Sequence, residues 1–549
     1  MTGDDDSKPG TTRRAFLVGT GAMAGALTLV GLAACSGDDS DDAGDNDADR
    51  GDAGDRATPT PSNGEPVVDA DVPDEETIFG WISEVFDQGI RRPGYPADEW
   101  AETYIEGLFK EFGLENVRLE PVNCLRWEPG EVSLEVVGPT ETRQLDAFPV
   151  PYSTPVDGLE VELTAFDQNN PDAAKDKAAL CDVAFISIPA DLMLHSGTLP
   201  EDRSRRAYDP DNTLVGHTHL TPSQSGMDLE PTTEAGAAAF IGSLKDHPGD
   251  PYTFYAPYDA HEVEIPAVFV RGSDGDWIHQ QLAAGPVRIK LSVQGTKDQA
   301  RTHNVVGELP GADDDIVIVG SHHDGPWASA VEDGSGIALV LAQAKYWASR
   351  PQEERPHRMV FVLHAAHMAG WVGQKAFVAE HADELERTVL EVHLEHAGKD
   401  VVEENGELVD TGLPVPRWFF TSRNPELEES VYSALEAEDL KRSLILAPDA
   451  ISGRPPTDGV AYYDAGVPIM NFLGAPWYLF HEADTLDKVD KENLVGITRA
   501  VIRIIGDTAG TSAADMRAGT VAVDPKNPEH GPPATPPPGD GGEYIPVES

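Results

Sequence analysis

Apolar positions recur at three- and four-residue spacing through Ile78, Trp81, Ile82, Val85 and Phe86, and again through Ala101, Tyr104, Ile105, Leu108 and Phe109. This is the stripe of an amphipathic helix, so the spacing predicts helical structure within 77–120, with Gly113 as a stop. LENVRLEPV, which follows, reads as a strand. From about 128 to 298 the pattern changes to short β-like runs (VSLEVV, VAFISI, AAAFIG, PAVFVRG, VRIKLSVQG) between loops rich in Pro, Asp and Gly. After 301, apolar strands at NVVGEL, DIVIVGS, RMVFVLH, VLEVHLE, RWFFTS and PIMNFL alternate with helical segments at 334–349, 370–383, 427–438 and 491–507. Buried strands joined by helical crossovers predict an α/β fold, a mostly parallel sheet covered by helices on both faces. Ligands of such sheets bind beyond the carboxyl ends of the strands. Residues 511–549, rich in Pro, Gly and Ala, predict a disordered tail.

Charge changes the picture. The 549 residues carry 40 Lys and Arg against 96 Asp and Glu, a net charge of −56. Residues 36–75 hold 14 acids and two Arg, so most of that charge belongs to the body. No Lys/Arg-rich run interrupts it, which argues against nucleic acid as a partner. A body this acidic repels itself unless salt shortens the screening length, and it reads as salt-adapted, of halophilic origin; an acidic surface selected for solubility is the other reading. Three Cys exclude a disulfide scaffold; beyond Cys35, Cys124 and Cys181 are compatible with a bridge or with two buried thiols.

Residues 11–35, TTRRAFLVGTGAMAGALTLVGLAAC, place Arg13-Arg14 before an apolar run rich in Gly and Ala that closes on small residues and Cys35. The order resembles a twin-arginine export signal (1–35) ending in a lipobox. The resemblance implies lipidation of Cys35, export by the twin-arginine route and a lipid anchor on the outer face of the cytoplasmic membrane as the sole membrane contact. An uncleaved anchor is the alternative. Residues 36–75 would be an acidic disordered tether.

Polar clusters stand at the predicted strand ends: Ser321-His322-His323-Asp324-Gly325, Glu332-Asp333-Gly334-Ser335-Gly336, His364-Ala365-Ala366-His367, His393-Leu394-Glu395-His396 and His481-Glu482-Ala483-Asp484. Seven of the 17 histidines fall in these windows. Imidazoles among carboxylates suit a hydrolytic metal site. Trp327, Trp371 and Trp477 nearby read as core more readily than as pocket lining.

The clusters also carry a family likeness. NVVGELPGADDDIVIVGSHHDG, EDGSG, MVFVLHAAHMAGWVGQKAF, VHLEHAG, and GVPIMNFL with FHEADTLDKVD follow in the order of the M28 metallopeptidase motifs. From 75 to about 508 the chain resembles that family, whose members use two zinc ions to hydrolyse peptide bonds, mostly at free N-termini. TTEAGAAAFIGSL and IPAVFVRGSDGDWIHQQLAAGPVRIKLSV resemble a protease-associated (PA) domain. The likeness divides the chain into an N-terminal part of the M28-like domain (76–127), a PA-like insert (128–298) and the main α/β domain (299–510), a phosphorylase/hydrolase-like architecture.

Carried over by position, the resemblance implies metal ligands at His322, Glu332, Glu395 and His481, with Asp324 orienting His322. Glu332 and Glu395 stand where the family has Asp, and the spacing from His481 to Asp484 is one residue short. The paired catalytic glutamates are replaced by His367, at the general-base position, and Met368, whose soft neutral sulfur does not substitute for a carboxylate. His364, His393 and His396 are candidate compensating ligands. The implied cofactor is zinc, one ion rather than two, with a metal-free site as the remaining possibility. The implied activity is metal-dependent hydrolysis of a peptide or small amide substrate at a rebuilt His-rich site. The alternatives are a catalytically inactive binding protein of M28 type and a metal-binding surface lipoprotein.

Overall fold

The two N-terminal helices form where the apolar spacing predicts them. In the computed structural model, which describes residues 67–188, 205–211, 213–214, 218–220, 227, 229–449 and 454–520, helix Glu75–Phe86 is capped by Asp74, whose carboxylate accepts the Thr77 N–H at 2.9 Å. Helix Pro96–Phe112 starts with Pro at its first turn and stops at Gly113, whose φ of 89° lies in the left-handed region. Both bury their apolar faces against the largely buried helix Gly334–Ser349.

Two strands of 23 residues, Glu115–Val137 and Val287–Leu309, then pair antiparallel along nearly their whole length, from Glu115 opposite Glu308 to Val137 opposite Arg288. They tie the β-rich insert to the α/β part in one sheet. On the edge of Val287–Leu309 opposite Glu115–Val137, its first residues pair Val156–Ala165, followed outward by Ala178–Ala184, Ala239–Lys245, Ala267–Arg271 and Phe148–Pro149, and its last residues pair Arg358–His364, followed by Ile316–His322, Thr388–Leu394, Ile469–Leu473, Arg417–Thr421, Ser443–Leu446 and Arg205–Tyr208. The domain boundaries expected near 128 and 298 therefore fall inside strands that cross them without a linker. The insert keeps a core of its own, built on Leu134, Leu163, Ile241, Val268 and Ile289 and closed by Trp277 and Ile278 of helix Gly272–Ala284.

Ile316–His322, Arg358–His364, Thr388–Leu394 and Ile469–Leu473 are parallel to one another and buried nearly throughout. Period-two alternation sorts their side chains. Val317, Val319, Phe361, Leu390 and Val392 face the layer containing Gly334–Ser349 and Leu494–Gly506, while Ile316, Ile318, Val360, Val362 and Ile469 face Phe377 and Tyr462 of helices Val372–Glu380 and Val460–Asp464. Helices on both faces match the expected class. The same alternation puts His322, His364, Glu391, His393, Glu395 and Asn471 on the second face, at the carboxyl ends of neighbouring strands; His322 is in register with His364, and Gly320 with His393.

Several boundaries differ from the expectation. The tether does not reach 75: Val67 and Val72 pack on the core, and the Val68 N–H donates to the Tyr346 hydroxyl at 3.3 Å. The segment expected as a disordered tail opens with a helix, Ala513–Gly519, capped by Ser512 and held by Ala513 and Met516 against Val389. The helix expected over 370–383 is confined to Val372–Glu380, because Gly370 and Trp371 hold left-handed conformations. The export signal, Cys35, nearly all of the tether and the chain beyond 520 lie outside the described residues. Cys124 and Cys181 are separate buried thiols; Cys181 Sγ lies 3.4 Å from Thr232 Oγ1. Among the described residues no helix is long and apolar enough to cross a membrane.

One ion pair ties the second helical layer to the long strand. His381 meets Glu120 Oε1 at 3.1 Å through Nε2 and Glu384 Oε2 at 2.9 Å through Nδ1. The Glu120 and Glu384 hydrogen bonds outweigh partial burial and raise His381 from 6.5 to about 9. A folded-state value above the ordinary one stabilises fully below pH 6.5 and is lost as pH rises through 9. The thermal midpoint of wild type should therefore exceed that of His381→Gln most at pH near 6, with the gap closing by pH about 10.

Candidate metal centre

The centre is assembled from five segments. Strand Ile316–His322 delivers His322, the loop before helix Gly334–Ser349 delivers Glu332 and Asp333, the turn after Arg358–His364 delivers His367, and strand Thr388–Leu394 delivers His393 and runs on to Glu395 and His396. The fifth contribution, Asp458, comes from a Pro-Pro-Thr-Asp-Gly loop before helix Val460–Asp464. Local sequence explains the placement of the second segment. Asp333 caps the helix by accepting the Gly336 N–H at 3.2 Å and takes the Ser321 hydroxyl. Residue 336 must be Gly, because a Cβ there would collide with the Asp333 carboxylate, the Leu394 carbonyl and the Ser321 hydroxyl.

His322 Nε2 faces Glu332 Oε1 at 3.4 Å and Asp458 Oδ2 at 3.3 Å. Its ring stacks on that of His367, with centroids 4.2 Å apart and planes 11° apart, and His367 Nε2 lies 3.4 Å from Asp458 Oδ1. His396 Nε2 meets Glu332 Oε2. Three sets of groups come within 4.8 Å of one another: His322, Glu332 and His367; His322, Asp333 and Asp458; His393, Glu395 and Asp458. His322, Glu332, His367, His393 and Glu395 are all buried, and Asp458 is 13% exposed.

The histidines are oriented in a consistent way. Nδ1 of His322 is 2.9 Å from the Asp324 carbonyl, Nδ1 of His393 is 2.8 Å from Glu391 Oε1, and Nδ1 of His396 is 2.9 Å from the Gly474 carbonyl. Each Nδ1 therefore carries its proton toward an acceptor, which turns the Nε2 lone pair inward. Nε2 of His393 is buried without a hydrogen-bond partner, and Nε2 of His322 and of His396 faces nothing but carboxylate oxygens of the same buried cluster. Buried polar atoms are normally satisfied, so this convergence of nitrogens and oxygens fits a cation.

Electrostatics agrees. Burial alone would lower His322 and His396, but neighbouring carboxylates outweigh it: Asp324 and Glu332 for His322, Glu332 for His396, and both imidazoles are held well above 6.5. Conversely, burial would raise Glu332, yet His396 and His322 pull it well below the ordinary carboxylate range. Glu395 is pushed well above its ordinary value by burial and then by Asp458; Asp458 is raised by burial to about 6. His367, buried and next to His322, is held well below 6.5 and is neutral. The carboxylates thus favour positive charge at the centre, which a divalent cation would supply.

The supporting residues are equally defined. Asp324 lies 3.5 Å from His322 Nδ1 and accepts the amides of His367 and Met368 at 3.0 and 2.7 Å, so it orients His322 as expected and also fixes the turn where the glutamates are missing. The Met368 side chain is buried, and its carbonyl takes the Tyr152 and Tyr255 hydroxyls. Arg91, fully buried, donates to the carbonyls of His323, Ala328 and Ser329 and pins the loop between the first two clusters. Asp484 accepts the Val331 and Glu332 N–H groups at 2.8 Å each, holding Glu332 from behind.

Not every expected residue converges. His481 is in none of the three sets; its ring lies 5.5 Å from that of His247, and its Nδ1 accepts the Ala483 N–H. Glu395 joins His393 and Asp458 rather than His322 and Glu332. His364 has Nε2 on the Tyr462 hydroxyl and its ring parallel to that of His393, 6.1 Å away. His323 pairs with Asp98 at 2.8 Å and is structural. Trp371 packs edge-on to His367 and lines the cavity over the centre, whereas Trp327 stacks on Arg92 and Trp477 is buried. Sequence reasoning missed Asp458 and Glu391.

Residues 304–505 match Peptidase family M28. Bovine (Bos taurus) carboxypeptidase Q is 23% identical over 316 residues, 53% of this chain and 58% of the bovine one, so the chain spans less than two thirds of that relative. Among solved structures, an M28 peptidase precursor from Shewanella amazonensis SB2B is 21% identical, covers 84% of this chain and 96% of its own, and superposes with a TM-score of 0.60. The aminopeptidase from Aneurinibacillus sp. strain AM-1 (21% identity, 79% and 94% coverage, TM-score 0.54) and the zinc aminopeptidase BSAP from Bacillus subtilis (18%, 80% and 96%, 0.57) share the fold.

Asp484→Ala leaves two buried N–H groups without an acceptor and should cost about 3 kcal/mol. Asp484→Asn, which keeps one acceptor oxygen, should cost less. Urea unfolding of the two variants measures the difference.

Proposed function

We propose that this chain is a zinc-dependent hydrolase of peptide or related amide bonds, aminopeptidase-like, acting through the histidine-rich centre. The observation that carries the reading is the convergence of the buried Nε2 atoms of His322, His393 and His396 on the carboxylates of Glu332, Glu395 and Asp458. The names of the M28 and zinc aminopeptidase neighbours support zinc as the ion and peptides as substrates.

His322 and Glu332 would hold one ion, with His396 and Asp458 within reach. Bound there, zinc supplies Lewis acidity toward a carbonyl oxygen and acidifies a water molecule. The chain's own residues do the rest. His367, neutral and with Nε2 beside Asp458 Oδ1, is placed to take the proton of the attacking water and to return it to the leaving nitrogen. Asp458 steadies the imidazolium that this creates. Asp324 keeps His367 in position through its backbone amide. Tyr258, stacked on His367 with centroids 5.6 Å apart, and Trp371 exclude water from the reacting side.

One observation favours a second reading, a metal-loaded binding protein without turnover: Met368 brings no charge where the resemblance implies a catalytic glutamate. Hydrolysis of aminoacyl-p-nitroanilides and dipeptides decides between them. Activity should vanish on chelation, return with zinc, and be absent in a folded His322→Ala variant; metal retention without hydrolysis by wild type selects the binding protein.

We also propose export by the twin-arginine route and anchoring through Cys35, on the strength of the 11–35 sequence. Cys35→Ser should move the protein from the membrane fraction to the soluble fraction, read by immunoblot of fractionated cells.

A further inference from the structure

One helix supplies a wall of the cavity over the centre. Trp371, which lines that cavity, stands at the start of helix Val372–Glu380, and its carbonyl accepts the Lys375 N–H at 3.0 Å. Residues four apart on a helix share a face, and Lys375 lies by Trp371 with Nζ 5.6 Å from the ring centroid. The Trp371 ring is in turn 5.6 Å from that of His367, the base of the proposed reaction. Two such steps put the ammonium no farther than about 11 Å from the His367 ring.

The charge of Lys375 is unanswered. In a molecule with 96 acids and 40 bases, lysines readily find carboxylates: Lys245 pairs with Asp276, Lys297 with Glu262, Lys399 with Asp410 and Lys491 with Glu76. Lys375 is in no ion pair among the described residues. Its acidic neighbour Asp259 accepts the His261 N–H at 3.0 Å, and the nearby Arg454 is paired with Asp464. Partial burial pushes the Lys375 ammonium below its ordinary value, Asp259 opposes that shift and Arg454 adds to it. An anion arriving at the cavity would offset this desolvation. Elsewhere the centre is lined by Glu332, Glu395 and Asp458, which repel anions, so a carboxylate on a substrate is accepted only on the Lys375 side.

We propose that Lys375 is a specificity-determining residue that binds a substrate carboxylate one or two residues beyond the scissile bond. The carboxylate is either the free C-terminus of a dipeptide or tripeptide or an acidic side chain at the same distance. The proposal rests on the reading of the centre as a peptide hydrolase. Extended backbone advances about 3.5 Å per residue. Once the reach of the base to the reacting carbon and the length of an ion pair are allowed for, the span from His367 to Lys375 leaves room for one residue or two.

Steady-state hydrolysis by the zinc-loaded full-length protein, at constant ionic strength, tests this on matched pairs: Leu-Gly against its C-terminal amide, Leu-Gly-Gly against its amide, and Leu-Asp amide against Leu-Asn amide. A charge-assisted contact of this kind should favour the carboxylate member of at least one pair by about 10–100-fold in kcat/KM, chiefly through KM. Preference within the first two pairs identifies the C-terminus as the source, and preference within the third identifies the side chain. The ratio should fall to near one in Lys375→Met, stay high in Lys375→Arg and invert in Lys375→Glu. Because each ratio is taken within one protein, differences in zinc content or folded fraction cancel. Equal rates within every pair in wild type, or a preference that survives in Lys375→Met, overturn the inference and leave the proposed function standing. If wild type hydrolyses none of the peptides, the proposed function fails, and calorimetric titration of the same pairs decides the inference by itself. Tighter binding of the carboxylate member, lost in Lys375→Met, supports it; equal binding, or none, overturns it.

Discussion

The organising constraint is the burial of charge at the ends of the central parallel strands. Glu332, Asp333, Glu395 and Glu391 lie in one buried region with His322, His367, His393 and His396. A single carboxylate there would be prohibitive without a partner. The surrounding structure reads as the answer to that cost. Backbone amides of 367 and 368 are given to Asp324, those of 331 and 332 to Asp484, and Arg91 is buried whole to satisfy three loop carbonyls. What these devices leave over is a set of inward nitrogens and oxygens, which a cation would satisfy.

This arrangement accounts for the altered motifs. Replacing a paired glutamate by Met368 removes negative charge, while placing His367 over His322 adds nitrogen. The centre thereby moves from an oxygen-rich to a nitrogen-rich donor set. Asp458 brings a carboxylate from a different loop to the same His322 Nε2 that faces Glu332.

Much of this was legible in the chain. Continuous apolar runs identified the central strands, and three- and four-residue spacing the N-terminal helices, because both are buried and tertiary contacts reinforce the local pattern. His322, Glu332, Glu395 and His396 were found because they sit at strand ends, where side chains leave the apolar pattern. Asp458 was not, since a Pro- and Gly-rich loop has no periodicity to place it, although a carboxylate two loop residues before a helix and strand was a usable signal. Glu391 hid inside an apolar strand; its spacing of two from His393 put both on one face, and only the sheet showed that this face was buried. His481 went the other way, because one missing residue in the FHEAD segment turned its ring to His247 and left Asp484 to brace the Glu332 loop.

The two 23-residue strands carry a last implication. Since their ladder runs, with a bulge between Pro129 and Val132, from the β-rich part into the α/β part, the two parts share one sheet. A gene fragment beginning at 299 would keep every candidate ligand yet strip a pairing partner from the whole length of one strand, leaving an open hydrogen-bonding edge prone to self-association. Tyr258, carried by the same insert, would go with it, so evolution of the outer half is bound to that of the centre it covers.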